Sequence, residues 1–394
     1  MLTRRALLRG SAFLSLAPVV PAFLTRTAHA AVPERDGRVL VVLQLDGGND
    51  GINTVVPFGD EAYAKHRREL RIPTDTLCKI GDGIGLHPAM RAAADLFEGG
   101  RLAIVQGVGY PNPDRSHFES MRIWQTAKPD RPGGDALGWL GRALDAAPRG
   151  DGPAAVHVGG ENLPRALFAR RATSTSFADA SDLALALPAP PDAASPGGED
   201  LAAFVHRTVT NAYATAAELE AATVRGADAS APYPDTGLAK RLGLVARSIK
   251  AGSCARVYYA IQSGYDSHAV QLPTHSRLLR EFAGAVRAFL DDLAAAKLAD
   301  RVVLMAFSEF GRRPEENGSL GTDHGTAGPV FLVGPNVKAG LVGKTPLLGD
   351  LRDGDLEWST DFRSVYAALL GHWFDLPPDG ILGGHFDALP VLKA

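Results

Sequence analysis

Two stretches of the chain are apolar almost without a break. Residues 38–45 read Arg-Val-Leu-Val-Val-Leu-Gln-Leu, and residues 301–308 read Arg-Val-Val-Leu-Met-Ala-Phe-Ser. A strand with one wet face alternates polar and apolar side chains. Runs this uniform predict strands covered on both faces, as in a parallel sheet. Shorter runs at Leu102–Val108, Ala154–Val158, Ala255–Ile261 and Pro329–Val333 predict further strands. Between them the apolar period lengthens to that of a helix. It is clearest over His275–Lys297, where Leu278, Leu279, Phe282, Val286, Phe289, Leu290 and Leu293 share one face. Helices are also expected near Pro88–Phe97 and Asp361–Trp373. Strands alternating with helices predict an α/β fold: a doubly wound α/β/α sandwich on a mostly parallel sheet. Leu187–Asp200, with four prolines and two glycines, has loop chemistry. Helical patterns follow near Leu201–Val224 and Thr236–Lys250, so residues from about 187 to 252 read as a helical insertion or cap on the sheet domain. No internal repeat is seen.

The N-terminus does not belong to this pattern. Thr3-Arg4-Arg5 precedes a moderately apolar run, Ser11–Leu24, which Pro18 and Pro21 interrupt and which leads to Ala28-His29-Ala30. The run is too short and too broken to span a membrane. It resembles a twin-arginine export signal with an A-x-A cleavage site; a retained amphipathic helix or anchor is the alternative. On the first reading residues 1–30 are removed and residues 31–394 form the mature domain. That domain is periplasmic or extracellular, the twin-arginine translocase is its partner during export, and no stable membrane span is expected. Losing four arginines and no acid takes the net charge from −3 to −7. An acidic surface of this kind argues against nucleic acid as a partner, and any attraction of an anionic substrate must be local. Two cysteines exclude a disulfide scaffold and a thiolate metal cluster, although Cys78 and Cys254 have the chance to pair in an oxidising compartment.

The chemistry-bearing residues collect where strands are expected to end. Asp46 closes the first strand, in Asp46-Gly-Gly-Asn-Asp50-Gly, and Ser308-Glu309-Phe310-Gly311-Arg312 closes the other strong one. The run at 255–261 leads into Tyr265-Asp266-Ser267-His268, and Thr322-Asp323-His324-Gly325 lies just before the strand at 329–333. Ligands of open α/β sheets bind outside the carboxyl ends of the strands. Each cluster alone has a plainer reading, as a turn, a helix cap or a surface ion pair. Together, carboxylates gathered without counter-charge repel, and a divalent cation removes that repulsion. Mixed Asp, Glu and His donors suit zinc or manganese, or calcium where histidines are fewer.

These motifs also carry a resemblance. Leu45-Asp-Gly-Gly-Asn-Asp-Gly-Ile-Asn-Thr-Val-Val-Pro57, Asp114-Arg-Ser-His-Phe118, Tyr265-Asp-Ser-His268, Ser308-Glu-Phe-Gly-Arg312 with Glu316-Asn-Gly318, and Gly321-Thr-Asp-His-Gly325 occur in this order. The set resembles the secreted bacterial family catalogued as domain of unknown function 1501. That family is itself similar to the alkaline phosphatase and sulfatase superfamily. The resemblance implies metal binding by Asp46, Asp266, His268, Glu309, Asp323 and His324, and a hydroxyl nucleophile at Ser116. It also implies His117 as leaving-group acid or ligand, and Arg115 or Arg312 as a clamp for the anion. The pattern departs at Phe310, where the superfamily has a metal histidine. A second metal would then be lost, weakened, or rebuilt from Asp323, Asp50 or His117. The implied function is a metal-dependent hydrolase of phosphate or sulfate esters, small or carbohydrate-linked. The alternative is a catalytically degenerate relative that serves as an exported binding or assembly protein. On the residues alone, Ser116 reads equally as the N-cap of a helix with Glu119 completing a capping box. His275 reads as a surface residue of a helix's first turn or as a group orienting a ligand, and His87 as a possible substrate contact.

Overall fold

The computed structural model describes residues 37–130, 137–148, 153–178, 210 and 231–393. The expected export signal at 1–30 and most of the expected insertion at 187–252 lie outside the described residues. Eleven strands are used below: β1 Val39–Asp46, β2 Leu102–Gly109, β3 Ala155–Val158, β4 Ser174–Phe177, β5 Val257–Ser263, β6 Val302–Phe307, β7 Arg312–Glu316, β8 Thr322–His324, β9 Gly328–Val333, β10 Gly340–Val342 and β11 Thr360–Asp361. Six helices accompany them: α1 Arg91–Glu98, α2 His117–Thr126, α3 Trp139–Ala146, α4 Gly237–Lys250, α5 Gln271–Ala295 and α6 Phe362–Ala368.

The main sheet runs β10-β2-β9-β6-β1-β5-β3-β4, with β11 beside β2. Its strands pair in parallel except β9, which is antiparallel to both β2 and β6. The expected α/β sandwich with a mostly parallel sheet is therefore what the chain forms. Alternate residues of β1 face opposite layers. Val39, Val41, Leu43 and Leu45 pack with α1, α4 and α5, while Leu40 and Val42 pack with α2, α3 and α6. Each such Val or Leu contributes roughly 1.5–3 kcal/mol relative to exposure, so β1 ties both layers together. No described helix is long and apolar enough to cross a membrane.

The start of the long helix differs from expectation. The long helix starts at Gln271 rather than His275, because Val270 turns the chain in a left-handed conformation (φ +45°). Pro273 falls in its first turn, where a missing N–H costs little. His275 is accordingly buried at 2 % exposure, not a surface residue, and its Nε2 donates to Asn49 Oδ1 at 3.0 Å. One described helix, α4, comes from the 187–252 stretch. Its face of Leu238, Ala239, Leu242, Val245 and Ala246 is buried in the same layer as α5. Cys78 and Cys254 are not joined to each other in a disulfide.

Candidate metal centre

Strands β6, β1 and β5 are neighbours and run in parallel. Their carboxyl ends lead to Glu309, Asp46 and Asp266. Two further side chains come from outside this trio: His117 opens α2, and His324 ends β8, paired across the hairpin with Arg312 of β7. The first loop can approach this closely only as glycine. A Cβ on Gly47 (φ +116°) would lie 2.4 Å from the Asp266 backbone nitrogen, and one on Gly48 (φ +78°) would lie 2.3 Å from the Phe310 ring. The Gly47 N–H in turn donates to Glu309 Oε1 at 2.9 Å.

Asp266 Oδ1 is the meeting point. The Nε2 atoms of His268, His324 and His117 lie 3.0, 3.1 and 3.5 Å from it. His268 and His324 place their Nε2 atoms 3.0 Å apart. Ligand atoms of His117, Asp266 and His324 all fall within 4.8 Å of one another. The opposite edge of each ring faces an acceptor. His117 Nδ1 donates to Glu309 Oε1 at 2.8 Å, His268 Nδ1 to Asp323 Oδ1 at 3.3 Å, and His324 Nδ1 to the Arg115 carbonyl at 2.9 Å. Those acceptors place a proton on each Nδ1 and leave the Nε2 lone pairs directed at one another and at a carboxylate. Lone pairs so close repel unless protons or a cation lie among them. His117 Nε2 is moreover buried without a hydrogen-bond partner. An orphaned imidazole nitrogen facing a carboxylate and two further imidazoles fits a divalent cation.

The electrostatics follow. Burial would raise the Asp266 carboxyl, but the hydrogen bond and the nearby positive charge of Arg312 hold it down at about 2. His117 is raised, chiefly by its hydrogen bond to Glu309, against an opposing effect of burial. Asp46 is raised by burial and then by the charge of Glu309, while Gln44 and His117 pull the other way.

The expected site residues thus divide. Asp266, His268 and His324 converge, and His117 joins them through Nε2. Glu309 and Asp323 face the far sides of His117 and His268 and take their Nδ1 protons. Asp46 accepts instead from Gln44 Nε2 at 2.8 Å. Arg312 is 1 % exposed, and its guanidinium donates to the Gly47, Gly48, Tyr265 and Thr322 carbonyls as well as to Asp266 Oδ1. That commits it as a staple of the loops, where an anion clamp was expected. Asp50 does not face the cluster. It is buried against Arg67, at 2.5 and 3.0 Å, and Gln271. Ser116 is exposed at the N-cap of α2, but its side chain makes no capping bond, and Glu119 pairs with Arg122 instead of closing a capping box. Phe310, 3 % exposed, walls the cluster, with its ring centre 4.9 Å from that of His117 and 4.8 Å from that of His324. His87 is buried and lowered to about 4 by desolvation, with Nδ1 accepting from the Ala89 N–H.

Three contributors escaped the sequence reading. The Arg115 carbonyl leaves no trace in side-chain identity. Asn317, whose Nδ2 donates to the His268 carbonyl and to Asp323 Oδ1, was visible only as part of Glu316-Asn-Gly318. Gln44, which accepts from Tyr259 and Gln125 and donates to Asp46, did leave a signal: a lone amide inside an apolar strand.

The family described as "Protein of unknown function (DUF1501)" matches residues 38–376. Among curated proteins none matches the sequence. Similar solved structures include the lipoteichoic acid synthase LtaP from Listeria monocytogenes, at 9 % identity and TM-score 0.37 over 82 % of this chain and 75 % of that one. The PsFucS1 sulfatase from Pseudoalteromonas sp. has 12 % identity and TM-score 0.39 over 90 % and 70 %. The C-terminal periplasmic domain of EcEptC from Escherichia coli, in complex with Zn, has 11 % identity and TM-score 0.37 over 86 % and 82 %. Similarity at this level carries no argument for what this chain does.

Proposed function

We propose, for a chain that belongs to the DUF1501 family, a metal-dependent hydrolysis of phosphate or sulfate esters. The observation that supports this reading best is the set of three imidazole Nε2 atoms turned on Asp266 Oδ1, each ring held from behind by an acceptor. A nitrogen-rich set with one carboxylate favours zinc over calcium, which takes six to eight oxygens. When bound, the cation would supply Lewis-acid polarisation of an ester oxygen and a lowered pKa for the attacking oxygen. The chain's own part is to hold that geometry. Glu309, Asp323 and the Arg115 carbonyl fix the ring tautomers, and Arg312 fixes Asp266. Ser116 is the proposed nucleophile: its exposed hydroxyl, free of a capping bond, adjoins His117 at the electropositive start of a ten-residue helix. The substrate is taken to be a small or carbohydrate-linked ester, met outside the cytoplasm after export through the Thr3-Arg4-Arg5 signal.

Metal analysis tests the reading. Protein purified from zinc-replete growth is expected to hold zinc near one equivalent, and His324→Ala to weaken it beyond the ~100-fold that removal of an outer partner reaches. Turnover of aryl phosphate or aryl sulfate esters should disappear with the metal. Metal-free protein from replete growth would end the proposal. Ser116→Ala that keeps zinc and loses turnover assigns the nucleophile; unchanged turnover would transfer the attack to water. One observation favours a second reading, an exported metal-dependent binding protein without turnover. Asp266 is already paired with the buried Arg312 guanidinium, which offsets the negative charge a reactive metal site draws on.

A further inference from the structure

Five large apolar side chains are exposed among the described residues: Phe118, Phe168, Val270, Leu320 and Leu347. Three of them lie within four residues in sequence of a histidine of the imidazole cluster. Phe118, 91 % exposed, follows His117 directly. Val270, 60 % exposed, lies two residues after His268, and Leu320, 48 % exposed, four residues before His324. Val270 and Leu320 belong to one lip. The Val270 N–H donates to the Ser319 carbonyl at 3.0 Å, and the Gln271 N–H to the Leu320 carbonyl at 2.8 Å. Asn317 fastens that lip to the site through the His268 carbonyl and Asp323.

Both lip residues also hold a backbone conformation that their side chains disfavour. Val270 has φ +45° and Leu320 φ +58°. A left-handed backbone is a genuine outlier for a β-branched residue, and asparagine or glycine would relieve it. The chain therefore keeps an apolar side chain at two positions where neither exposure nor backbone geometry favours one. Strain of this kind collects at ligand sites.

We infer that Phe118, Val270 and Leu320 form an apolar rim that receives the hydrocarbon part of an amphiphilic ester, whose anionic head reaches the imidazole cluster. The inference rests on the ester-hydrolase reading above. What singles out the substrate as occupant is position: Val270 and Leu320 sit on the lip that Asn317 ties to His268, Phe118 adjoins His117 in the chain, and the remaining exposed apolar residues lie elsewhere in the sequence. The substrate class narrows to phosphate or sulfate esters carrying an alkyl or aryl group next to the charged head.

The test uses zinc-loaded full chain and a series of n-alkylphosphonates, methyl to octyl, titrated by calorimetry. Full burial of a methylene is worth about four-fold in affinity, and a partly wet rim is expected to give about two-fold per methylene. The variant Phe118→Ser with Val270→Asn and Leu320→Asn should lose that slope. It should also unfold at a higher temperature than the parent, because asparagine accepts the left-handed backbone. A merely structural role for the rim does not couple those two changes. Equal affinity for methyl- and octylphosphonate would overturn the inference, as would an unchanged slope in the variant. Metal-independent sedimentation with phosphatidylcholine vesicles, lost in the variant and accompanied by a flat phosphonate series, would give the rim to a membrane surface and overturn it as well. Failure of the hydrolase reading looks different: a steep phosphonate slope with no turnover of any ester by zinc-loaded protein.

Discussion

Asp46 and Asp50 lie four positions apart, and two polar clusters of opposite character lie on either side of that loop. On one side Asp50 is fully buried and saturated. Arg67 meets both its oxygens, Gln271 Nε2 donates to Oδ2, and the Asn53 N–H donates to Oδ1. Arg67 spends its remaining donors on the Pro314 and Arg313 carbonyls of β7. On the other side three imidazoles turn their Nε2 atoms on Asp266, itself about half exposed, and the His117 Nε2 has no hydrogen-bond partner. The contrast teaches how to read buried charge. A polar group whose every atom is answered within the chain stabilises a shape, and one whose atoms converge unanswered is arranged for something that arrives later.

The strongest way to break this comparison is to open the saturated side. Removing one partner of a buried ion pair leaves an uncompensated charge and costs about 3–5 kcal/mol. Arg67→Ala should lower the unfolding free energy by that amount in a denaturant titration, while zinc affinity of the folded fraction stays close to the parent's. If Arg67→Ala instead strips zinc and leaves stability unchanged, the two clusters have been assigned the wrong way round.

A smaller effect is expected on the unsaturated side. Asp323→Asn and Glu309→Gln each remove the charge that receives an imidazole Nδ1 proton. Loss of such a partner weakens metal binding about 10- to 100-fold. Asp323 is exposed, so its substitution should leave stability within about 0.5 kcal/mol of the parent. Competition with a chromophoric chelator reads the affinity directly. Zinc binding indifferent to both substitutions would mean that these carboxylates do not orient the rings.

Much of this arrangement was legible in the sequence, for physical reasons that differ by residue. The two uniform apolar runs became adjacent central strands because only a strand covered on both faces tolerates Val and Leu at every position. Asp266, His268 and His324 were legible because they follow or precede such strands by a few residues. The roles of Glu309 and Asp323 were not. Whether a carboxylate meets a metal or the back of a ligand ring depends on about 3 Å of placement, which composition and spacing do not encode. Arg312 was misread for a related reason. Its five acceptors include four backbone carbonyls from three separate segments, and a backbone acceptor has no sequence signature. His275 was misplaced because the start of its helix was set by the left-handed turn at Val270, an apolar residue in a conformation that sequence rules reserve for others.

The finest test separates the two clusters by pH. Burial by itself would raise the Asp50 carboxyl, but the charges of Arg67 and His275, with hydrogen bonds from Arg67 and Gln271, hold it below its ordinary value. A carboxylate depressed in the folded state contributes stability that is fully present above the unfolded pKa of about 3.9 and is lost as pH falls through the folded value. Asp50 itself should therefore contribute less than about 1 kcal/mol of change between pH 7 and pH 5, since it stays ionised throughout. The imidazole cluster responds at higher pH. Its nitrogens bind a cation only when unprotonated, and His117, raised by its hydrogen bond to Glu309, takes up a proton above the ordinary histidine value of about 6.5. Acidification should release zinc first, and the stability held by Asp50 should be lost only at lower pH, as its depressed carboxyl takes up a proton. Asp50→Asn should blunt the second transition and leave the first in place. Zinc release and unfolding that coincide at a single pH would show that the clusters act as one unit, and the distinction between a saturated and a waiting site would fall.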